Sequence, residues 1–221
     1  MPLFIRNMQP QFNFALFIWS ILLVIGLFSN QIVKGQGVKF IGSDQPIDKR
    51  SSLTIFPSNG PEFKDNFTVG FDLQISSKSP IGYIFRIKEK SQQPIINLYY
   101  DEENRKAIFR LNEEGKYGLI SASFDQSELM DEQTWIHINL DFNLQEGEIT
   151  LKIADFPEQK TKINIKTPYS PTLIFGKSDY MIDVPSMSIR NLIIGNYSKY
   201  YQFPFKESKG KLLHDSNNEV L

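Results

Sequence analysis

The segment from Phe67 to Ile75 alternates strictly between apolar and other side chains. Every odd position is apolar, and the even positions between them are Thr68, Gly70, Asp72 and Gln74. Successive side chains of a strand point to opposite faces, so the pattern predicts a strand with one buried face. A register slip of one residue would expose every apolar side chain of the segment. The chain must therefore place this strand on an apolar core and leave its other face polar.

Shorter segments of the same kind recur along the chain, separated by turn residues. Further strands are predicted at 51–56, 81–87, 95–100, 106–111, 135–142, 149–153, 161–165, 172–175 and 187–195. The polar runs 101–104 and 145–148 predict the turns of two hairpins. Only 127–133 favours a short helix or helical turn. Many short strands without strand–helix alternation predict an all-β fold, a sandwich of two antiparallel sheets.

Composition excludes several classes of function. The chain has 24 Lys and Arg against 25 Asp and Glu, and no basic cluster stands out, which argues against nucleic-acid binding. It has no cysteine, so disulfides, thiolate metal sites and a cysteine nucleophile are excluded. Only two histidines, His137 and His214, are present, so one chain cannot supply a multi-histidine zinc site.

Residues 1–35 predict a cleaved signal peptide. The apolar run Phe14–Phe28 follows Arg6, and no acidic residue precedes Asp44. An uncleaved membrane anchor is the alternative, but the run is shorter than the roughly 20 residues that cross a bilayer. Cleavage near Gly35 predicts an exported protein, periplasmic or at the cell surface, with no membrane contact afterwards. The absence of cysteine in an exported chain favours a Gram-negative source.

Four ordered segments resemble the laminin-G-like domains of the concanavalin A-like superfamily. Thr134–Phe142 resembles the strand of that family with Trp and His two residues apart, and 147–153, 173–177 and 187–195 resemble later strands. The resemblance covers residues 38–199 and implies a two-sheet jelly roll. It also implies a non-catalytic recognition domain for carbohydrate or protein, with no cofactor required.

Residues 200–221 resemble the opening strand of another domain of that family. They are interpreted as a linker and the start of a second, truncated module. Comparable arrangements occur in large exported proteins of Bacteroidetes-type bacteria, which would place further domains downstream.

The ligand candidates combine aromatic and polar side chains. Trp135, Asn139 and Asp141 alternate on one face of a predicted strand together with His137, and such a face can stack on a sugar ring. Tyr99 is a further candidate. Other tyrosines that could form a stacking patch are Tyr100, Tyr197, Tyr200 and Tyr201. The alternative is that these aromatics are framework residues that fill the sheets. The expected partner is a glycan or an extracellular protein.

Calcium accompanies many laminin-G-like domains, so the resemblance allows a Ca²⁺ ion. The candidate ligands are Asp101, Glu103, Asp179 and Asp183, although no EF-hand spacing is present. The acid-rich strand of retaining glycosidases, whose paired carboxyls stand about 5–5.5 Å apart, has no counterpart on a predicted strand. A degenerate glycoside hydrolase is therefore disfavoured. A spacer domain of a larger surface or sensor protein, without its own ligand, remains the alternative function.

Overall fold

The computed structural model describes residues 37–58, 60–76, 81–89, 94–125 and 134–205. Within these ranges the chain forms thirteen strands and one 3-10 turn, Ile47–Lys49. The strands are β1 (Val38–Phe40), β2 (Ser52–Ile55), β3 (Asn66–Ile75), β4 (Gly82–Lys88), β5 (Ile96–Glu103), β6 (Lys106–Glu113), β7 (Lys116–Asp125), β8 (Ile136–Asn143), β9 (Glu148–Ile153), β10 (Gln159–Lys162), β11 (Thr172–Gly176), β12 (Met187–Gly195) and β13 (Tyr200–Phe203). No helix of the described residues is long and apolar enough to cross a membrane.

The strands build two sheets that pack against each other. The seven-stranded sheet has the order β1-β12-β3-β8-β9-β10, and β13 also pairs with β12. The six-stranded sheet has the order β2-β11-β4-β5-β6-β7. All of these pairings are antiparallel. The predicted all-β, two-sheet antiparallel sandwich is confirmed.

The core lies between the two sheets and is rich in phenylalanine. On β3 the predicted alternation is confirmed, because all five apolar side chains are buried. The ring of Phe67 stacks on Phe142 with centroids 4.4 Å apart, and on Phe63 at 4.8 Å. Phe71 of β3 meets Phe85 of the opposite sheet edge to face, at 5.6 Å. Burial of these rings removes large apolar areas from water and fixes which face of each sheet points outward.

The first predicted hairpin is present, but its turn is tighter than expected. Asn104 and Arg105 both have positive φ, 52° and 63°, as a two-residue type I′ turn requires. The strand ladder therefore continues to Glu103, which pairs with Lys106. Asp101 and Glu103 consequently lie on β5, and the prediction that they belong to the turn is wrong.

Three strands of the structure, β1, β7 and β13, were not predicted as strands of this sandwich. The edge strand β7 buries Ile120, Ala122 and Phe124. Strand β13 pairs with β12 from Gly195 to Leu192, and Phe203 is buried in the core. The sandwich thus extends past residue 199, and the first residues assigned to a linker belong to this domain. The predicted signal peptide, the short helix at 127–133 and residues 206–221 lie outside the described residues.

Candidate functional site

The outer surface of the seven-stranded sheet, which we call the groove face, carries the polar side chains of the alternating strands. On β3 these are the positions between the buried apolar ones, and on β8 they are His137, Asn139, Asp141 and Asn143. Three of the predicted ligand residues, Trp135, Asn139 and Asp141, follow this same alternation, which confirms that they share one face.

One end of the groove face contains a groove with a volume of about 750 Å³. Its lining residues come from six strands and the β12–β13 turn, and they include Thr68, Asp141, Asn143, Glu148, Thr150, Lys160, Ile193, Gly195, Asn196, Tyr197 and Tyr200. Tyr197 is fully exposed and Tyr200 is 55% exposed. Exposed tyrosines beside a polar floor are unusual for side chains that normally bury their rings.

The β12–β13 turn places the two tyrosines beside the groove. The side-chain oxygen of Asn196 accepts hydrogen bonds from the backbone N–H groups of Ser198 and Lys199, at 2.9 and 3.0 Å. Its amide nitrogen donates to the backbone oxygen of Asn66 at 2.9 Å, which ties the turn to β3. A Cβ at Gly195 would lie 2.2 Å from the backbone oxygen of Lys199, so only glycine permits this close turn.

Asp141 is held in the groove by neutral donors. The hydroxyl of Thr68 donates to one carboxylate oxygen at 2.5 Å, and the amide of Asn139 donates to the other at 2.8 Å. No described residue forms an ion pair with Asp141. The carboxylate is exposed, fixed in orientation and electrostatically unpaired, so its remaining lone pairs are available to a ligand.

The second groove carboxylate, Glu148, is paired. Lys162 lies 3.4 Å from one of its oxygens, and Lys160 lies 3.8 Å from the other. All three residues sit on the adjacent strands β9 and β10. The two acids of the groove therefore differ, since only Asp141 is without a cation.

Trp135 lies at the other end of the groove face in a charged cluster. The guanidinium of Arg190 sits over the indole, 4.1 Å from the ring centroid, and its Nε donates to Asp72 at 3.1 Å. His137 Nδ1 contacts the other oxygen of Asp72 at 2.9 Å. Burial alone would raise the pKa of Asp72, but hydrogen bonds from His137, Asn191 and Arg190 outweigh it and hold the pKa below its ordinary value of 3.8. Because Arg190 covers the indole, the structure favours a packing role for Trp135 and leaves Asn139 and Asp141 in or beside the groove.

Tyr99 is not near the other ligand candidates. It lies on β5 of the six-stranded sheet, where its ring meets Tyr83 edge to face at 5.0 Å. Burial raises the pKa of Tyr99, and the negative charges of Asp101 and Asp183 add to the rise. The structure therefore places Tyr99 on a different sheet from Trp135, Asn139, Asp141, Tyr197 and Tyr200, and does not bring these candidates together.

The four candidate calcium ligands are spread over a strand and a loop. Asp101 and Glu103 both contact Arg110, at 3.3 and 3.8 Å. Asp183, in the β11–β12 loop, pairs with Arg50 at 3.5 Å, and Asp179 is exposed in the same loop. Among the described residues no group of three or more acidic or histidine side chains is arranged to hold a metal ion. One carboxylate oxygen each of Asp101, Glu103 and Asp183 faces an arginine.

Several groove residues were not singled out from the sequence as a site. Thr68, Asn143 and Thr150 occupy ordinary outward positions of strands, whereas Tyr197 and Tyr200 belong to the tyrosines predicted either to form a stacking patch or to fill the sheets. The one signal that could have identified the tyrosines is their position around Asn196 and Ser198, a turn-forming pair between two apolar strands.

Comparison with known proteins identifies the fold of the chain but no sequence family. No family model and no curated protein matches the sequence. The structure resembles domains LG4-5 of the mouse laminin alpha1 chain, with a TM-score of 0.50 and 15% identity over 80% of this chain and 44% of that one. It also resembles the native heptameric SAP-like pentraxin from Limulus polyphemus, with a TM-score of 0.51 and 15% identity over 73% of this chain and 76% of that one.

The chain thus spans less than half of the laminin chain and about three quarters of the pentraxin that it matches. Two antiparallel sheets with this strand order, together with these similarities, agree with the resemblance found in the sequence. The described residues form a laminin-G-like sandwich with the concanavalin A-like fold.

Proposed function

We propose that this protein is a non-catalytic carbohydrate-binding domain whose ligand lies in the groove. The observation that carries the proposal is one row of residues that crosses the whole sheet. In register, from β13 to β10, the row is Tyr200, Gly195, Thr68, Asp141, Thr150 and Lys160.

The row has the dimensions and chemistry of a binding site for a short oligosaccharide. Five strand spacings of about 4.8 Å make it about 24 Å long. Gly195 lines the groove where the β12–β13 turn packs closely against it, and next to it the exposed ring of Tyr200 can pack on the apolar face of a sugar. Beyond it, the hydroxyls of Thr68 and Thr150 and the carboxylate of Asp141 can bond to sugar hydroxyls as donors and acceptors.

Gly70 lies in the next row of the sheet, opposite Asn139. Because glycine has no side chain, nothing projects from the groove face at this position. A Cβ at this position would come 3.1 Å from the side-chain oxygen of Asn139, the residue that orients Asp141. The absence of a side chain here therefore protects both the open floor and the arrangement of the carboxylate.

The remaining parts of the proposal come from the sequence. Residues 1–35 are proposed to direct export, so the ligand would be met in the periplasm or at the cell surface. Binding without turnover is proposed because no predicted strand carries the acid-rich pattern of retaining glycosidases, and on β5 Asp101 and Glu103 both contact Arg110. Residues 206–221 are proposed to lead into a further module.

The test is binding of the purified protein to a broad glycan panel, with and without calcium, followed by titration calorimetry with the best ligand. Replacing both groove tyrosines, Tyr197→Ala with Tyr200→Ala, should weaken binding at least about tenfold, because each stacked ring contributes on the order of 1 kcal/mol. The matched control is Tyr180→Ala, which removes a 75% exposed tyrosine from the β11–β12 loop and should leave the affinity unchanged.

Absence of binding across the panel would overturn the proposal and support the spacer role. Equal loss of affinity in the control and in the double variant would also contradict it, since binding would then not depend on the groove. Turnover of a bound glycan that disappears on Asp141→Asn would replace the binding role with a catalytic one.

A further inference from the structure

We infer that the preferred ligand carries a protonated amine, as in a glycan of N-deacetylated amino sugars, and that Asp141 receives this amine. The inference rests on the proposed function, because it names the ligand class of the same groove. It follows from the electrostatics of the groove, which differ from what a neutral sugar requires.

The carboxylate of Asp141 is fixed in orientation, but no cation of the described residues compensates its charge. The carboxylate is exposed, and both oxygens are oriented by neutral donors, the Thr68 hydroxyl and the Asn139 amide. Hydrogen bonds from neutral groups hold the carboxylate in place but leave its negative charge uncompensated. An ammonium group that bonds to an ionised carboxylate forms a charge-assisted hydrogen bond, roughly twice as strong as a neutral one.

The other charged groups at the groove are paired with one another. Glu148 and Lys160 line the groove beside Asp141, and Glu148 lies 3.8 Å from Lys160 and 3.4 Å from Lys162. These four charges sum to zero, but both lysines are engaged by Glu148, whereas Asp141 has no ion-pair partner among the described residues. The attraction for a cationic ligand therefore comes from Asp141 itself.

Two tyrosines on the same groove can also attract a cation. The faces of aromatic rings are negative, and an amine within about 6 Å of a ring centroid is attracted to it. The structure already uses this interaction elsewhere, where Arg86 sits 5.2 Å from the ring of Tyr180. Tyr197 and Tyr200, being exposed, can offer their ring faces to a cation on the ligand.

A cationic peptide would share the amine but not the rest of the site. The row across the sheet also presents the hydroxyls of Thr68 and Thr150 and the amide of Asn143 to the groove, and these groups suit a ligand rich in hydroxyls. The combination favours an amino sugar over a lysine side chain.

The experiment is a pair of calorimetric titrations at about pH 5.5, where an aliphatic amine is protonated and an aspartate is ionised. The probes are a β-1,4-linked glucosamine tetramer and its fully N-acetylated counterpart. The deacetylated tetramer should bind about tenfold more tightly, which corresponds to about 1.4 kcal/mol. Asp141→Asn should reduce this ratio to about one, whereas Asp155→Asn, an exposed acid of the β9–β10 turn, should leave it unchanged.

The outcomes separate this inference from the proposed function. Equal binding of the two tetramers would overturn the amine preference while supporting carbohydrate binding. Binding of neither tetramer, together with a negative glycan panel, would overturn both. Binding of tetralysine in place of both sugars would assign the groove to a cationic peptide and would likewise contradict both proposals.

Discussion

The two outer faces of the sandwich carry the same kinds of residue but differ in how their carboxylates are paired. On the six-stranded sheet, Tyr83 and Tyr99 pack against each other, and Asp101 is bound by Arg110. On the groove face, tyrosines also stand near an aspartate, but Asp141 has only neutral donors. The tyrosines of the first face use each other as packing partners, whereas Tyr197 and Tyr200 are exposed.

The comparison shows that residue type does not identify a binding face. An aspartate whose oxygens are bound by arginine contributes to folding and has little left for a ligand. An aspartate fixed by a threonine and an asparagine keeps its charge available. The two faces therefore differ in whether an arginine lies close enough to bind the aspartate beside the tyrosines, and substitutions can test this difference.

The largest expected effect concerns the ion pair between the buried Arg86 of the six-stranded sheet and Glu114, whose side chain is 43% exposed. Arg86, with only 5% of its side chain exposed, pairs with Glu114 at 2.5 Å. Glu114→Ala leaves this guanidinium without a counter-charge and should lower the free energy of unfolding by about 2 kcal/mol. Glu103→Ala, which removes an acid that is 63% exposed and 3.8 Å from Arg110, should cost less than about 0.5 kcal/mol.

Urea denaturation at neutral pH measures both changes. If both substitutions lowered the free energy of unfolding by the same small amount, the ion pairs with arginine would not stabilise this face measurably. The two faces would then differ less than the contacts indicate.

A smaller effect is expected from giving Asp141 the partner it lacks. Thr150 lies opposite Asp141 in the pairing of β8 with β9. Thr150→Arg should place a guanidinium beside the carboxylate, as on the other face. The preference for the deacetylated over the acetylated tetramer should then fall about tenfold, because the charge is already compensated.

Thr150→Gln is the control, since it adds a side chain of similar reach without the charge. If both substitutions abolished the preference equally, filled space rather than charge would explain the loss. Compensation of charge by an arginine would then not explain the difference between Asp101 and Asp141.

The smallest expected effect concerns Asp72, a second aspartate of the groove face, which unlike Asp141 contacts an arginine, Arg190. The folded-state pKa of Asp72 is below its ordinary value, so its ionised form stabilises the fold. This contribution is complete above the unfolded-state pKa and is lost as the pH falls through the lower folded-state pKa. Asp72→Asn should therefore cost on the order of 1 kcal/mol at pH 7, and the difference from wild type should shrink below about pH 4.

Denaturation midpoints from about pH 7 to about pH 2.5 test this, with Asp155→Asn as the exposed control. A difference between wild type and Asp72→Asn that stayed constant across the range would contradict the assigned protonation behaviour. The hydrogen bonds from His137 and Arg190 would then contribute through packing alone.

Much of the fold could be predicted from local sequence. The alternation of Phe67–Ile75 specified both the strand and its buried face, and the same held for residues 136–142. Along 187–195 a bulge at Asn191, which has a φ of 52°, shifts the buried positions to Leu192 and Ile194, and the period of two did not predict this shift. Strand β7 was missed because Gly118, Ser121 and Ser123 make its pattern weak. Strand β13 was missed because its residues resemble the start of another domain, and only pairing with β12 shows where they belong.

The candidate site was predictable only in part. Alternation along one strand was enough to place Asn139 and Asp141 on the same face, since side-chain direction has a period of two. That Tyr99 lies on the other sheet could not be predicted, because no local pattern states which sheet a strand joins. Tyr200 and Thr68 reach the groove through pairings between residues far apart in sequence.

By itself the sequence determined which residues are buried, where most strands run, and which side chains point outward together. Only the tertiary structure decided which carboxylates have arginine partners and which tyrosines remain exposed. The physical reason is that alternation is a local property of the backbone, whereas the pairing of charges depends on which strands become neighbours. Asp101 and Asp141 both lie on strands of the structure, and the difference between them arises from Arg110 on the strand β6 next to Asp101.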